Sequence, residues 1–378
     1  MQPKNDSTMM GHNQFDIPKE MGAWVLNDPD HIEIKKKPVP EPKDDEVLLK
    51  IDAVAICATD LEIISHGKPA QIEGQMPFNK NYSPGHEAMG RVVKLGASVD
   101  DFKIGDRVAV EIHAGCSRCE MCVKGWYTSC LNYGFASKGH KANGFTTDGA
   151  FAEYMTNRTR TLVRVPDGMS DEEATLAVTA GTSMYTLDVM GGLFAGQTVV
   201  VMGPGPIGLC AVGVASALGA EVILTGTRDN RLDIGKKLGA SHVINVKNDD
   251  AVKVVRELTG GIGAHYVLDC SGAPNAVNDA SSMIRRGGKI GLAAFPSKPV
   301  EVDIANLVRN NAYIYATRGE GKSACHRAMA LMAQKRFDAK LIHTHTFAMK
   351  DLQTGLKYTR ERIEDAIKVV VRNDERLI

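Results

Sequence analysis

Three things are missing from this 378-residue chain, and each absence removes a class of function. There is no charge excess. Lysine plus arginine and aspartate plus glutamate number 45 each, leaving no cationic surplus to neutralise phosphates or hold an anionic membrane surface, so neither nucleic acid nor membrane is expected as a partner. There is no apolar leader. The opening residues, with Asn5, Asp6, Ser7, His12 and Asn13, lack the hydrophobic core of a secretory signal and read as a flexible tail over 1–20, which points to a cytoplasmic protein with reduced thiols. There is no unbroken membrane-length run either. Thr198 to Ala220 is long enough, but Gly203, Pro204, Gly205 and Pro206 interrupt it near its start, as in a buried strand followed by a buried helix. Internal repeats and low-complexity stretches are also absent.

Four cysteines are crowded together. Cys116, Cys119, Cys122 and Cys130 fall within fifteen residues, and two-residue gaps let successive thiolates converge on one tetrahedral ion. Disulfides are the competing reading, but a core of this size needs no stapling and cytosolic thiols stay reduced. Four thiolates close the coordination shell of a zinc ion, so the cluster is expected to hold a loop together and to do no chemistry.

An apolar fraction of 43% and a length near twice the usual domain predict two globular units. Glu46 to Ala58 (EVLLKIDAVAICA), Gly90 to Leu95 and Asp106 to Ile112 read as strands of a mostly β first part. From about residue 180, short apolar runs at Thr198–Met202, Glu221–Thr225, Tyr266–Cys270 and Lys289–Leu292 alternate with helical stretches, including Ala211–Leu218 and Arg231–Leu238. Such alternation predicts an α/β unit with a parallel, doubly wound sheet. After Arg318 the chain reads helix, strand and helix, with 363–371 closing it.

The first of those strands runs into Gly203-Pro-Gly205-Pro206-Ile207-Gly208 and then an alanine-rich helix, the context that a dinucleotide turn requires. Gly203, Gly205 and Gly208 permit a tight turn, close approach of a pyrophosphate and close packing of helix on strand; Pro206 and Ile207 complete the predicted cofactor loop. The next strand ends at Gly226, 23 residues after Gly203, where an NAD-preferring site carries a carboxylate for the ribose 2′-hydroxyl. With glycine there and Thr227 and Arg228 following, NADP is favoured over NAD, Arg228 and Arg231 being available to a 2′-phosphate. The alternative leaves Arg228 in solvent and gives an NAD ribose to Asp229 or Thr227.

Cys57 and the pair His86-Glu87 offer a second set of zinc donors. Either Cys57 or His86 alone reads as a core residue. Taken in order, however, Cys57-Ala-Thr59-Asp60, Gly85-His86-Glu87-Ala-Met-Gly90, the four-cysteine lobe and the glycine turn resemble the zinc-dependent medium-chain alcohol and polyol dehydrogenases, from about Met21 to Val371. The resemblance implies a GroES-like catalytic domain over 21–178 and 318–378 and a Rossmann domain over 179–317. It implies hydride transfer between a secondary alcohol, polyol or sugar-derived substrate and NAD(P), with two zinc ions per subunit in a homodimer or homotetramer. It makes Cys57 and His86 ligands of a catalytic zinc, with Glu87 a ligand or exchanging with water, and leaves an open position for Lewis-acid catalysis on an alcohol or ketone. Thr59 matches a hydroxyl that bonds the reacting oxygen, with a helix cap as its bland alternative; Asp60 orients a ligand or an arginine.

Two departures mark the chain. Glu62 stands where relatives carry a relay histidine, so the proton route is open among Glu62, His66 and a ribose hydroxyl with water. Val178 stands where polyol enzymes often place a carboxylate, which makes the site more apolar. Glu153 matches a residue near the active site or is a surface carboxylate; Arg318 either approaches substrate and nicotinamide or forms an interdomain ion pair. The rival functions are amino-alcohol oxidation of the L-threonine dehydrogenase type and a non-catalytic binding or structural protein of the same fold.

Overall fold

The computed structural model of the chain describes residues 15–67 and 81–378. Its middle third builds one six-stranded, all-parallel sheet. Across the sheet the order is His242–Asn245, Glu221–Gly226, Thr198–Met202, Ala264–Asp269, Ile284–Leu292 and Tyr313–Ala316, which in chain order is third, second, first, fourth, fifth, sixth. Strands buried on both faces need no alternation, so Thr198–Met202 (TVVVM) is apolar throughout its middle and wholly buried. The winding reverses between Thr198–Met202 and Ala264–Asp269, leaving the crevice at which doubly wound sheets bind ligands. The run from Thr198 to Ala220 is accordingly a strand plus the helix Pro206–Ala217. No helix among the described residues is long and apolar enough to cross a membrane.

A second, seven-stranded sheet is assembled from both ends of the chain. His343–Ala348, Lys368–Arg372, Glu46–Ile56, Glu87–Leu95, Arg107–Val110 and Leu162–Arg164 follow one another across it, and Tyr154–Arg158 pairs with Glu46–Ile56 as well. The C-terminal strand Lys368–Arg372 lies antiparallel to Glu46–Ile56, Val371 opposite Val54. A separate hairpin, Glu20–Asp28 with His31–Pro38, packs on this sheet through Trp24, Leu26 and Ile32. Of the segment expected as a tail, residues 1–14 lie outside the described residues, while Phe15 and Ile17 pack against a small cluster around Met21 and Val25.

Several element ends differ from the sequence reading. The strand from Glu46 stops at Ile56 and not at Ala58, because Cys57 caps a helix, Ala58–His66. The last element is a strand, Lys368–Arg372, preceded by a helix Leu352–Glu361.

One helix ties the two sheets together. Ala177–Val189 is apolar or small on every side and nearly all buried, as expected of a helix enclosed by neighbours. Its small residues permit close approach: a Cβ on Gly181 would stand 2.4 Å from Cys325 Sγ on the helix Ala324–Ala333.

Candidate active site

Strand Glu46–Ile56 delivers Cys57 to the N-cap of helix Ala58–His66, where the side chain of Asp60 closes the first turn. Asp60 Oδ2 accepts the Cys57 N–H at 2.9 Å; its Oδ1 accepts the Gly85 N–H at 3.2 Å and lies 3.0 Å from His86 Nδ1. Asp60 is fully buried and His86 nearly so. A carboxylate so placed accepts a hydrogen bond from the Nδ1–H of His86 and leaves the Nε2 lone pair for another partner. The helix cap is therefore made by Asp60. Thr59, half-buried, keeps its hydroxyl 3.7 Å from Cys57 Sγ.

Glu87 opens the strand beside His86. Its Oε1 accepts the Thr179 hydroxyl at 3.3 Å and its Oε2 pairs with Lys368 Nζ at 2.5 Å. Both members of that ion pair are buried. Burial disfavours the Lys368 charge, but Glu87 and Cys57 outweigh it and raise its pKa above the ordinary value. Donor atoms of Cys57, His86 and Glu87 all lie within 4.8 Å of one another. One soft thiolate, one imidazole nitrogen and one carboxylate suit zinc, and three protein ligands are what a site with an open position uses.

The cysteine lobe has a closed geometry. Cys116 and Cys122 sulfurs are 4.0 Å apart, those of Cys119 and Cys130 are 3.9 Å apart, and all eight cysteines are free. Thiolates about 2.3 Å from a tetrahedral zinc would be about 3.8 Å from one another, whereas a disulfide needs about 2.05 Å. Gly115, at φ 57°, is required there because a Cβ would sit 2.6 Å from Cys122 Sγ. Burial disfavours the Cys116 thiolate, yet N–H donors from Arg118, Asn132 and Cys119 prevail and lower its pKa to about 6. The lobe fits zinc. Cys119→Ser is expected to remove that ion and lower the melting temperature by at least about 4 °C, the value of roughly 2 kcal/mol in a domain of this size. Metal analysis with a thermal melt checks this; an unchanged melt with full zinc content contradicts it.

At the nucleotide turn, Gly203 adopts φ 100°, Gly205 caps helix Pro206–Ala217 and Pro206 occupies its first turn. A Cβ on Gly208 would lie 1.9 Å from the Gly203 carbonyl oxygen, so packing demands that glycine. At Gly205 a Cβ would meet nothing within 4 Å, so the protein's own packing does not demand glycine there; a ligand lying on the backbone would. Ile207 gives its carbonyl to the Ser183 hydroxyl at 2.9 Å. Ser183 also donates to the Thr179 carbonyl at 3.1 Å. Thus Thr179, which bonds Glu87, and Ser183, which bonds the glycine turn, occupy adjacent turns of Ala177–Val189, about 6 Å of rise apart. The metal-donor set and the nucleotide turn are fastened to the same rod.

Gly226 is enforced sterically. A Cβ there would stand 2.5 Å from Cδ of Pro204, inside the glycine turn itself, so no carboxylate side chain fits. Thr227 is exposed and Arg228 caps the following helix, Asp229–Lys237. Arg231, expected beside Arg228 in solvent reach, is buried and donates to the Ala366 carbonyl at 2.7 Å. Asp229 is taken up by Asn245 at 2.6 Å.

Other expected residues are displaced. Glu62 and His66 pair with each other at 3.3 Å on the exposed face of their helix. Val178 is buried with Ile112, Ala142 and Phe145. Glu153 is neither at the site nor on the surface: its carboxylate accepts Gly22 N–H at 3.1 Å and Leu377 N–H at 2.6 Å, tying the strand Glu20–Asp28 to the C-terminal segment. Arg318 forms no ion pair among the described residues; its guanidinium stacks on Tyr133 at 4.5 Å and donates to the Thr128 carbonyl at 3.1 Å. With Trp126, Phe295 and Thr317 these residues line a cleft of ≈ 690 Å³ between the cysteine lobe and the parallel sheet. Sequence reasoning missed Lys368 and Thr179. A lone lysine inside Ile367-Lys368-Val369-Val370-Val371 was the available signal for the first; nothing distinguished the second.

Comparisons with known proteins agree with this geometry. A model of the alcohol dehydrogenase GroES-like domain matches residues 43–167, and a model described as zinc-binding dehydrogenase matches 206–334. The chain is 32% identical over 357 residues to sorbitol dehydrogenase of Bacillus subtilis, covering 94% of this chain and 98% of that protein. It is 36% identical over 293 residues to L-threonine 3-dehydrogenase of Pyrococcus furiosus, covering 77% and 80%. Among solved structures, an oxidoreductase of unknown specificity from Escherichia coli superposes with a TM-score of 0.85 at 26% identity, covering 93% of this chain and 99% of that one.

Proposed function

The chain belongs to the zinc-dependent medium-chain alcohol and polyol dehydrogenases, and from that membership we propose that it transfers a hydride between a secondary alcohol, polyol or sugar-derived substrate and a nicotinamide dinucleotide, with ketone reduction in reverse. The observation that carries this reading is the fastening of the Cys57–His86–Glu87 set and the glycine turn to adjacent turns of one helix. We assign the catalytic unit to 21–178 with 318–378 and the nucleotide unit to 179–317. Cys57, His86 and Glu87 would hold one zinc, and Cys116, Cys119, Cys122 and Cys130 a second. When bound, the first supplies Lewis acidity toward an alcohol oxygen, and the dinucleotide supplies the hydride acceptor.

The chain's own residues do the rest. Asp60 keeps the Nδ1 proton on His86 and so presents Nε2. Lys368 pairs with Glu87 inside the buried site and so would position that carboxylate as a ligand for the metal. Thr59, beside the sulfur, accepts the substrate hydroxyl proton on its way out. With Glu62 and His66 paired away on the helix surface, the onward route runs through water and a ribose hydroxyl. Val178 and Phe145 keep the site apolar and exclude bulk water.

Gly226, Thr227 and Arg228 make NADP the favoured cofactor, supported by the Pro204 ring that bars a carboxylate at 226. Arg228→Gln should raise KM for NADP about tenfold or more, the value of a lost charge-assisted hydrogen bond, and far more than it raises KM for NAD. Parent kcat/KM at least tenfold higher with NAD would end the NADP assignment. Self-association as a homodimer or homotetramer is supported by the edge strand Tyr313–Ala316, whose Tyr313 and Ile314 are exposed beside Ile304 and Val308. Free thiols in the cysteine lobe support a cytoplasmic location.

A second reading, amino-alcohol oxidation of the L-threonine type, is favoured by the 36% identity over 293 residues to an L-threonine 3-dehydrogenase. Polyols, sugars, L-threonine and simple secondary alcohols offered with both cofactors, and followed by nicotinamide absorbance, separate the two. Turnover of none of them refutes both.

A further inference from the structure

Arg228 is already engaged. Its Nη1 donates to Asp365 Oδ1 at 3.3 Å, Arg228 being about one-third and Asp365 over half exposed. The two belong to opposite halves of the molecule. Arg228 caps the helix that follows the second strand of the parallel sheet, whereas Asp365 precedes Lys368–Arg372, the strand that returns to the other sheet. Behind the pair stand two more guanidiniums. Arg231 is buried, donates one nitrogen to the Ala366 carbonyl and leaves its Nε without a partner. Arg362 is near enough that, after burial and together with Arg228, its charge helps lower the Arg231 pKa to about 10. Arg228 alone pairs with the Asp365 carboxylate, with Arg231 and Arg362 adding positive charge beside it, at the end of the strand where the ribose of a dinucleotide is read.

The turn presenting that carboxylate is unusual. Arg362, Glu364 and Asp365 have φ of 55°, 51° and 57°, a left-handed run that L-residues adopt singly and at a cost. It brings Asp365 out toward Arg228, while Glu364 is drawn to His345 at 3.4 Å.

We propose that Asp365 is a specificity-determining residue for the cofactor: an internal anion that occupies Arg228 in place of a 2′-phosphate and must be displaced by NADP but not by NAD. The inference rests on the reading that Arg228 faces the 2′ position. A phosphate presents more charge and more acceptor oxygens than this single 3.3 Å contact and forms bidentate pairs with arginine, so it wins the exchange. Part of its binding energy is nevertheless spent on the displacement. Because the pair joins the two halves, the exchange also frees one tether between them, which an NAD molecule leaves in place.

The test uses the full chain and two probes, adenosine 2′,5′-bisphosphate and 5′-AMP, titrated calorimetrically against the parent, Asp365→Asn and Arg228→Gln. Asparagine tolerates φ near 57° and removes only the charge; Asp365→Gly is a second variant with the same tolerance. Asp365→Asn should tighten the bisphosphate about two- to fivefold, the range an exposed ion pair is worth, and leave 5′-AMP unchanged. Arg228→Gln should weaken the bisphosphate selectively. If Arg228→Gln does so but neither Asp365 variant changes the bisphosphate, the role of Asp365 is refuted and the cofactor reading stands. If the Asp365 variants tighten both probes alike, the effect is not phosphate recognition and the proposal falls. If Arg228→Gln alters neither probe, the cofactor reading fails and takes the proposal with it.

Discussion

Cys57→Ser lowers kcat by at least about a thousandfold while the protein stays folded. Losing an electrophile worth several kcal/mol of transition-state stabilisation costs a factor of ten for each 1.36 kcal/mol, so about 4 kcal/mol accounts for that loss. The fold is spared because the group that closes the helix turn at this position is the Cys57 backbone N–H on Asp60, which serine retains. Serine matches cysteine in shape but offers a hard hydroxyl oxygen where zinc takes a softer sulfur ligand. Zinc content by mass spectrometry should therefore fall by one ion per subunit, with the cysteine lobe still loaded. Parent-like turnover, or full zinc content in the variant, would overturn the assignment of Cys57.

Asp60→Ala strikes the same site from behind and should damage both stability and metal affinity. One fully buried carboxylate holds the Cys57 and Gly85 N–H groups and the Nδ1 of His86. Removing it strands buried donors at about 1–3 kcal/mol each and frees the His86 ring to rotate or change tautomer. Zinc affinity in a chelator competition is expected to drop about ten- to hundredfold, with a clear fall in melting temperature. Asp60→Asn keeps an acceptor oxygen for one or two of those donors and should recover part of both losses. If Asp60→Ala binds zinc as tightly as the parent, the carboxylate does not orient His86.

How much of this was legible before the fold depended on how local the signal was. The spacing of Cys116, Cys119, Cys122 and Cys130 lies within one loop, and the turn from Gly203 to Gly208 sits between the strand and helix it joins, so both were readable from neighbours in the chain. Cys57 and His86 were ambiguous singly and became specific only as a set. Apart from Glu62 and His66, which pair one helical turn apart, the misplacements involve partners distant in sequence. Glu153 looked like a site residue because its flanks matched, yet its partners are Gly22 and Leu377. Arg231 looked available to a phosphate one helical turn beyond Arg228, but its carbonyl partner is Ala366. Lys368 went unnoticed because a lysine in a valine run says only that a charge is buried, and Glu87, its partner, is 281 residues away.

The amino-acid sequence by itself determined the inventory: two sets of residues with metal-donor atoms, a glycine turn between strand and helix, a strand ending in glycine where a carboxylate is usual, and alternating strands and helices that build a parallel sheet. These follow from side-chain chemistry and from backbone periodicity, which act over a few residues. Only the tertiary structure decided the assembly. It routed the C-terminal strand back to the first sheet, set Lys368 against Glu87, and hung the donor set and the nucleotide turn on successive turns of Ala177–Val189. The physical reason is that a buried charge requires an opposite charge or donor in space, and no local pattern states which distant residue the packing of two sheets will bring to it.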